Sequence, residues 1–125
     1  MPLRTIALAL VAATVAMATA RAELAPASLV GAYEVTGTES DGKAYDGPGT
    51  LDISLSSSGA LELDWDNGKY VGAGRVIGDT LAVGSFADGR PVIIATIANP
   101  DGSLTGKWWR HSDKGAKGTE TWKKK

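Results

Sequence analysis

Turn-forming dipeptides recur along most of the chain, and their spacing limits each intervening segment to the length of a strand. The dipeptides are Asp41-Gly42, Ser58-Gly59, Asn67-Gly68, Gly78-Asp79, Asp88-Gly89 and Asp101-Gly102. Each pair contains a residue that tolerates a positive φ, which tight hairpin turns require. The spacing therefore predicts antiparallel strands joined by short connections.

Eight segments between these turns are predicted to be strands. They are residues 29–37, 49–56, 60–66, 69–77, 80–86, 91–98, 103–110 and 117–123. Alternation supports this reading, since Leu51, Ile53 and Leu55 alternate with polar residues and would lie on one face of a strand. No segment shows a sustained helical repeat, so the chain is predicted to be all-β.

The short connections favour one architecture. Eight strands joined mainly by hairpins predict an eight-stranded antiparallel up-and-down β-barrel of the calycin type. A sandwich of two sheets is the alternative, but Greek-key sandwiches need some long crossing connections. A barrel of this size has room either for a packed interior or for one small ligand, so the fold leaves both open.

The amino terminus has the pattern of a secretory signal peptide. Met1 to Arg4 is positively charged, the next residues are almost wholly apolar, and Ala20-Arg21-Ala22 fits the small-x-small cleavage site. Cleavage is expected before Glu23, or alternatively before Arg21. This predicts a signal peptide over residues 1–22, a single domain over residues 23–125, and a periplasmic or extracellular location.

Composition narrows the function classes. The chain has no cysteine, so the exported domain is expected to depend on packing and backbone pairing rather than on disulfides. Removing Arg4 and Arg21 leaves 11 basic and 14 acidic residues, a formal charge of −3. That balance predicts no general attraction to nucleic acid. Nothing after the signal peptide is apolar enough to predict a transmembrane helix.

Several segments resemble known exported barrels. Gly31-x-Tyr33, Trp108 and Trp122 resemble the way lipocalin and avidin-type barrels begin and finish. The longer runs GAYEVTGTESDGKAYDG, LELDWDNGKYVGAGRVIGDTLAV, DGSLTGKWW and GTETW are similar to a family of small exported bacterial proteins often labelled "fibronectin-binding". That resemblance implies an exported barrel. Lipocalins would place Trp at position 33, so neither lipocalin transport nor biotin binding is carried over.

Aromatic residues of matching parity predict a candidate ligand site inside the barrel. Successive side chains of a strand point to opposite faces, which puts Trp108 on the inner face with Leu104 and Gly106. The predicted ligand-binding residues are Tyr33, Trp65, Arg75, Trp108 and Trp122. They would line a cavity for a small apolar or planar ligand, with Arg75 as a polar anchor. The alternative is that the aromatic rings simply pack the core.

The same parity predicts a second candidate site on the outside. Lys107, Trp109, Arg110 and His111 form a candidate surface for a protein partner, since exposed Trp and Arg are frequent in interface hot spots. The alternative is packing of Trp109 against a neighbouring Lys or Arg on the sheet surface.

Catalytic and metal sites are not predicted. His111, Ser112 and Asp113 are consecutive, so strand geometry prevents them from forming a Ser-His-Asp hydrogen-bond chain. One histidine and no cysteine do not suit zinc, and no cofactor motif occurs. The sequence predicts a noncatalytic exported barrel that binds a small ligand or a protein partner. The alternatives are a structural envelope-associated barrel with a filled core and, more weakly, a carboxylate-dependent hydrolase.

Overall fold

The computed structural model describes residues 23–111 and 114–125, and its strands form one closed antiparallel barrel. The strands are β1 (Gly31–Thr38), β2 (Gly49–Leu55), β3 (Leu61–Trp65), β4 (Tyr70–Ile77), β5 (Thr80–Ala87), β6 (Arg90–Ala98), β7 (Leu104–Arg110) and β8 (Lys117–Lys124). Each strand pairs with its neighbours in sequence, and β8 pairs with β1 to close the barrel. The predicted up-and-down barrel is confirmed, and the two-sheet sandwich is set aside.

The turns explain why the strand limits were predictable. Every strand begins and ends within two residues of its predicted range. Asn67 and Gly68 have φ of 56° and 89°, and Asp88 and Gly89 have φ of 53° and 76°. Asn, Asp and Gly are the residues that adopt this left-handed backbone at least cost, so they fix where each hairpin reverses.

Two sequence predictions fall outside the described residues. The predicted signal peptide, residues 1–22, is one of them, and the segment of Ser112 and Asp113 is the other. In the part of the chain that the structure describes, no helix has the length and hydrophobicity needed to cross a membrane.

One end of the barrel is covered by the segment that precedes β1. Leu24 donates its backbone N–H to the carbonyl of Gly78, in the β4–β5 turn, at 2.9 Å, and Pro26–Leu29 forms a 3₁₀-helix. Leu29 is buried in the core, and the Tyr33 hydroxyl donates a hydrogen bond to its carbonyl at 2.6 Å. We call this the closed end.

The half of the barrel beside the closed end is filled with side chains. Five large inward-facing residues there expose 1% of their surface or less: Tyr33, Leu61, Leu81, Leu104 and Trp122. Burying a large apolar side chain stabilises the folded state by about 1.5–3 kcal/mol, so this half supplies much of the stability of a domain without disulfides. The opposite half is open.

Candidate functional site

The open half of the barrel contains a cavity of about 430 Å³. Its walls come from the turns that follow β1, β3 and β5 and from the end of β7. We call this space the mouth cavity, because it lies at the end opposite the closed end. Small-ligand sites in proteins commonly have volumes of about 300–1,000 Å³, so the mouth cavity has the size of such a site.

Two tryptophans form the principal aromatic walls. Trp65 at the end of β3 and Trp108 in β7 both point inward and line the mouth cavity. Inward-facing glycines on the neighbouring strands leave room for the rings: a Cβ on Gly118 would collide with the Trp108 indole, and one on Gly72 would lie 3.1 Å from the Trp65 ring. The aromatic walls therefore depend on the absence of side chains opposite them.

A buried carboxylate lies at the inner end of the cavity. Glu120 is 9% exposed, lines the mouth cavity and accepts a hydrogen bond from Trp122 Nε1 at 2.8 Å. Its other oxygen accepts one from the Tyr45 hydroxyl at 3.1 Å. Burial raises the pKa of the Glu120 carboxyl, and the hydrogen bonds from Trp122 and Tyr45 offset part of that rise. Burial, followed by the adjacent Glu120 charge, raises the pKa of Tyr45 far above its ordinary range.

One buried donor in this cluster has no acceptor. The Trp65 indole is close enough to Glu120 to favour its ionised form. The pair nevertheless lacks hydrogen-bond geometry, and the buried Trp65 Nε1 has no hydrogen-bond partner among the described residues. An unsatisfied buried donor costs about 1–3 kcal/mol.

Charged side chains surround the entrance, and most of them are acidic. The acidic residues that line the mouth cavity are Glu39, Asp46, Asp66, Asp88 and Glu120, and the basic ones are Lys69 and Arg110. The Arg110 guanidinium lies 5.2 Å from the centroid of the Trp108 ring, and Lys69 Nζ lies 5.3 Å from that of Tyr70. Within the described residues, no group of three His, Cys, Asp or Glu side chains is arranged to hold a metal ion.

The structure separates the five residues predicted to bind a ligand. Trp65 and Trp108 line the mouth cavity, whereas Tyr33 and Trp122 lie in the filled half and reach no open space. The interior position expected for Arg75 has to be corrected: its side chain is exposed on the outer face of β4. Gly74 takes the inward position beside it, and strand alternation then sends Arg75 outward.

The predicted partner surface is also divided. Lys107 and His111 are exposed, and Trp109 is half-buried on the outer face beside Ile93, its partner across the β6–β7 pair. Arg110 has to be removed from this surface, because it shares the inward parity of Trp108 and lines the mouth cavity. A protein partner for Trp109 stays a prediction.

Sequence reasoning missed Glu120 and Tyr45. Glu120 was detectable, since it is two residues before Trp122 and must share its face of β8. Tyr45 lies in the long β1–β2 connection, where no periodicity applies. It is held by a backbone hydrogen bond from its N–H to the Gly37 carbonyl at 2.9 Å, which no local pattern indicates.

Burial of Glu120 makes stability depend on pH in a defined direction. Because the folded state raises the pKa of Glu120, the folded protein binds a proton more tightly than the unfolded chain does. The free energy of unfolding attributable to Glu120 therefore falls as the pH rises from the ordinary range of a glutamate through the raised value. We expect Glu120→Gln to remove this fall, so that the variant gains stability over the wild type with increasing pH.

Urea unfolding of both proteins from about pH 4 to pH 7 measures that difference in the free energy of unfolding. Subtracting one pH profile from the other removes the contribution of the carboxylates that the two proteins share. Glu62→Gln is the matched control, because Glu62 is exposed on the outer face of β3. An E120Q curve parallel to the wild-type curve would contradict the burial of a raised-pKa carboxyl.

The chain resembles known proteins in its three-dimensional structure, but its sequence matches no known family. No family model and no curated protein matches the chain. Among solved structures, the crystal structure of wild-type fluorescent protein UnaG matches with a TM-score of 0.53 at 10% identity, over 81% of this chain and 100% of that one. A mutant of UnaG matches with a TM-score of 0.50 at 10% identity, over 79% and 97%. At this level of identity, what the chain shares with UnaG is its barrel fold.

Proposed function

We propose that this protein binds a small ligand in the mouth cavity. The observation that carries the proposal is a cavity of about 430 Å³ whose lining combines the Trp65 and Trp108 rings with polar and charged side chains. Concave sites of this size that combine aromatic side chains with polar groups are typical of small-ligand sites. The barrel is neither wholly filled nor wholly hollow. The half beside the closed end is packed with side chains, and the opposite half has room for a ligand.

We further propose that the role is binding rather than catalysis, in an exported protein. Glu120 is engaged by two hydrogen-bond donors, Tyr45 and Trp122, so both of its oxygens already have partners. Export is supported by the signal-peptide pattern of residues 1–22. The resemblance to the exported bacterial family often labelled "fibronectin-binding" belongs to this proposal.

Filling the cavity should abolish binding. Ala87 is partly buried at the end of β5 and lines the mouth cavity, so Ala87→Phe places a ring in the space that a ligand needs. We expect the neutral fluorescent probe dansylamide to bind the wild type saturably, read by energy transfer from tryptophan. In A87F its dissociation constant should rise at least about tenfold, which is the loss of roughly 1.4 kcal/mol of binding energy.

Ala73→Phe is the matched control, because Ala73 is exposed on the outer face of β4. It should bind dansylamide as the wild type does. Equal binding by A87F and A73F would overturn the assignment of the ligand site to the mouth cavity.

A further inference from the structure

We infer that the mouth cavity selects organic cations, that is, molecules with an aromatic or aliphatic body that carry a protonated nitrogen. The inference rests on the ligand-binding function proposed above and specifies the chemical class of the ligand. Three features of the described residues support it: the charge of the lining, the aromatic rings within it, and the hydrogen-bonded Glu120 at its inner end.

The sign of the charge favours a cation. Five acidic and two basic side chains line the mouth cavity, which gives a formal charge of −3 when all are ionised. Charge of one sign around a concave, low-dielectric site concentrates its field at the opening and raises the local concentration of oppositely charged ligands. The same field disfavours carboxylates and phosphates.

The aromatic rings of the lining already contact cations that the chain itself supplies. Arg110 stacks over Trp108, and Lys69 lies over Tyr70. Both distances are within the roughly 6 Å over which a cation is attracted to the face of a ring. Trp65 has no such contact in the described structure, although its indole lines the same cavity as Glu120. A ligand cation placed there would lie between an aromatic ring and a carboxylate.

The inner end of the cavity provides the anchor. Glu120 is held in place by Tyr45 and Trp122, so little ordering is needed for it to accept a hydrogen bond from a protonated nitrogen. The adjacent Trp65 Nε1 is buried and has no hydrogen-bond partner among the described residues. Glu120 therefore supplies the acceptor for a protonated nitrogen of the ligand, in a cavity whose wall includes the Trp65 indole.

A matched pair of probes tests the sign of the charge. Dansylcadaverine ends in an ammonium group, and N-dansyl-6-aminohexanoic acid ends in a carboxylate after the same number of methylene groups. We expect the wild type to bind the ammonium probe at least about tenfold more tightly, as for one charge-assisted hydrogen bond. Glu120→Gln should reduce that ratio, Glu62→Gln on the outer face should not, and added salt should reduce it in all three proteins.

The outcomes separate this inference from the function on which it rests. Equal or tighter binding of the carboxylate probe, abolished by Ala87→Phe, would overturn cation selectivity and leave ligand binding in the cavity intact. An unchanged preference in E120Q would overturn the role of Glu120 as the anchor. If none of the three probes, including dansylamide, binds saturably, both proposals are overturned.

Discussion

Replacing Trp122 by alanine is expected to lower the free energy of unfolding by about 3–5 kcal/mol, the range for removal of a large aromatic ring from a core. Trp122 is fully buried, and its ring packs edge-to-face against Trp65 with centroids 6.0 Å apart. Its indole N–H also donates to Glu120, so the substitution would leave a buried carboxylate with one donor fewer.

Urea unfolding followed by far-ultraviolet circular dichroism measures this loss, because the signal does not depend on tryptophan fluorescence. Trp109→Ala is the matched control, since Trp109 is only half-buried on the outer face of β7. Trp122→Phe supplies a milder variant if the alanine variant does not fold. A loss for W122A no larger than that for W109A would show that Trp122 is not a core residue.

The second large effect is expected at a glycine. A Cβ at position 118 would collide with the Trp108 ring. The indole Nε1–H of Trp108 donates a hydrogen bond to the Thr38 carbonyl at 3.2 Å, so moving the ring away would break that hydrogen bond. Gly118→Ala is therefore expected to destabilise the domain by about 1–3 kcal/mol through overpacking. It should also disturb the Trp108 wall and weaken dansylamide binding.

Gly84→Ala separates this steric effect from the general effect of glycine in a strand. A Cβ at Gly84 would meet no atom within 4 Å. Alanine there should be neutral or stabilising by roughly 0.5–1 kcal/mol, since it loses less backbone entropy on folding. Thermal or urea unfolding of the two variants measures the change in the free energy of unfolding at each position. Equal changes at both positions would contradict the close packing of the Trp108 ring against Gly118.

The barrel could be predicted from sequence because its determinants are local. The Asn67-Gly68 and Asp88-Gly89 pairs fix two of the hairpins, and the alternation of Leu51 and Ile53 with polar residues fixes which face is inside. Both signals act within a few residues, so neither needs knowledge of the fold. The absence of a helical repeat then left few architectures for eight short strands.

The candidate site was only partly predictable, because parity assigns a face and not a depth. Parity placed Trp108 and Trp122 inside, and both are inside, but Trp122 is in the filled half and Trp108 is at the cavity. Consistent use of the same rule would have placed Glu120 and Arg110 inside as well. Glutamates are usually exposed, so composition alone predicts a surface position for Glu120. It is nevertheless the one buried carboxylate among the described residues.

Other parts of the site depend on contacts between segments that are far apart in the sequence. Tyr45 reaches Glu120 across 75 residues, and Trp108 reaches the Thr38 carbonyl across 70. No local pattern encodes either contact. The cavity itself is a property of the closed barrel, since it is the space left when inward glycines and aromatic residues from several strands meet.

The tryptophan indole resonances offer the most direct test of the central claim that the mouth cavity is the ligand site. The chain has four tryptophans, and their indole N–H signals can be resolved in a ¹H–¹⁵N spectrum of labelled protein. On addition of dansylamide we predict that the signals of Trp65 and Trp108 move, because both rings line the mouth cavity, while that of Trp109 stays in place. Movement of Trp109 with Trp65 and Trp108 unchanged would contradict the account.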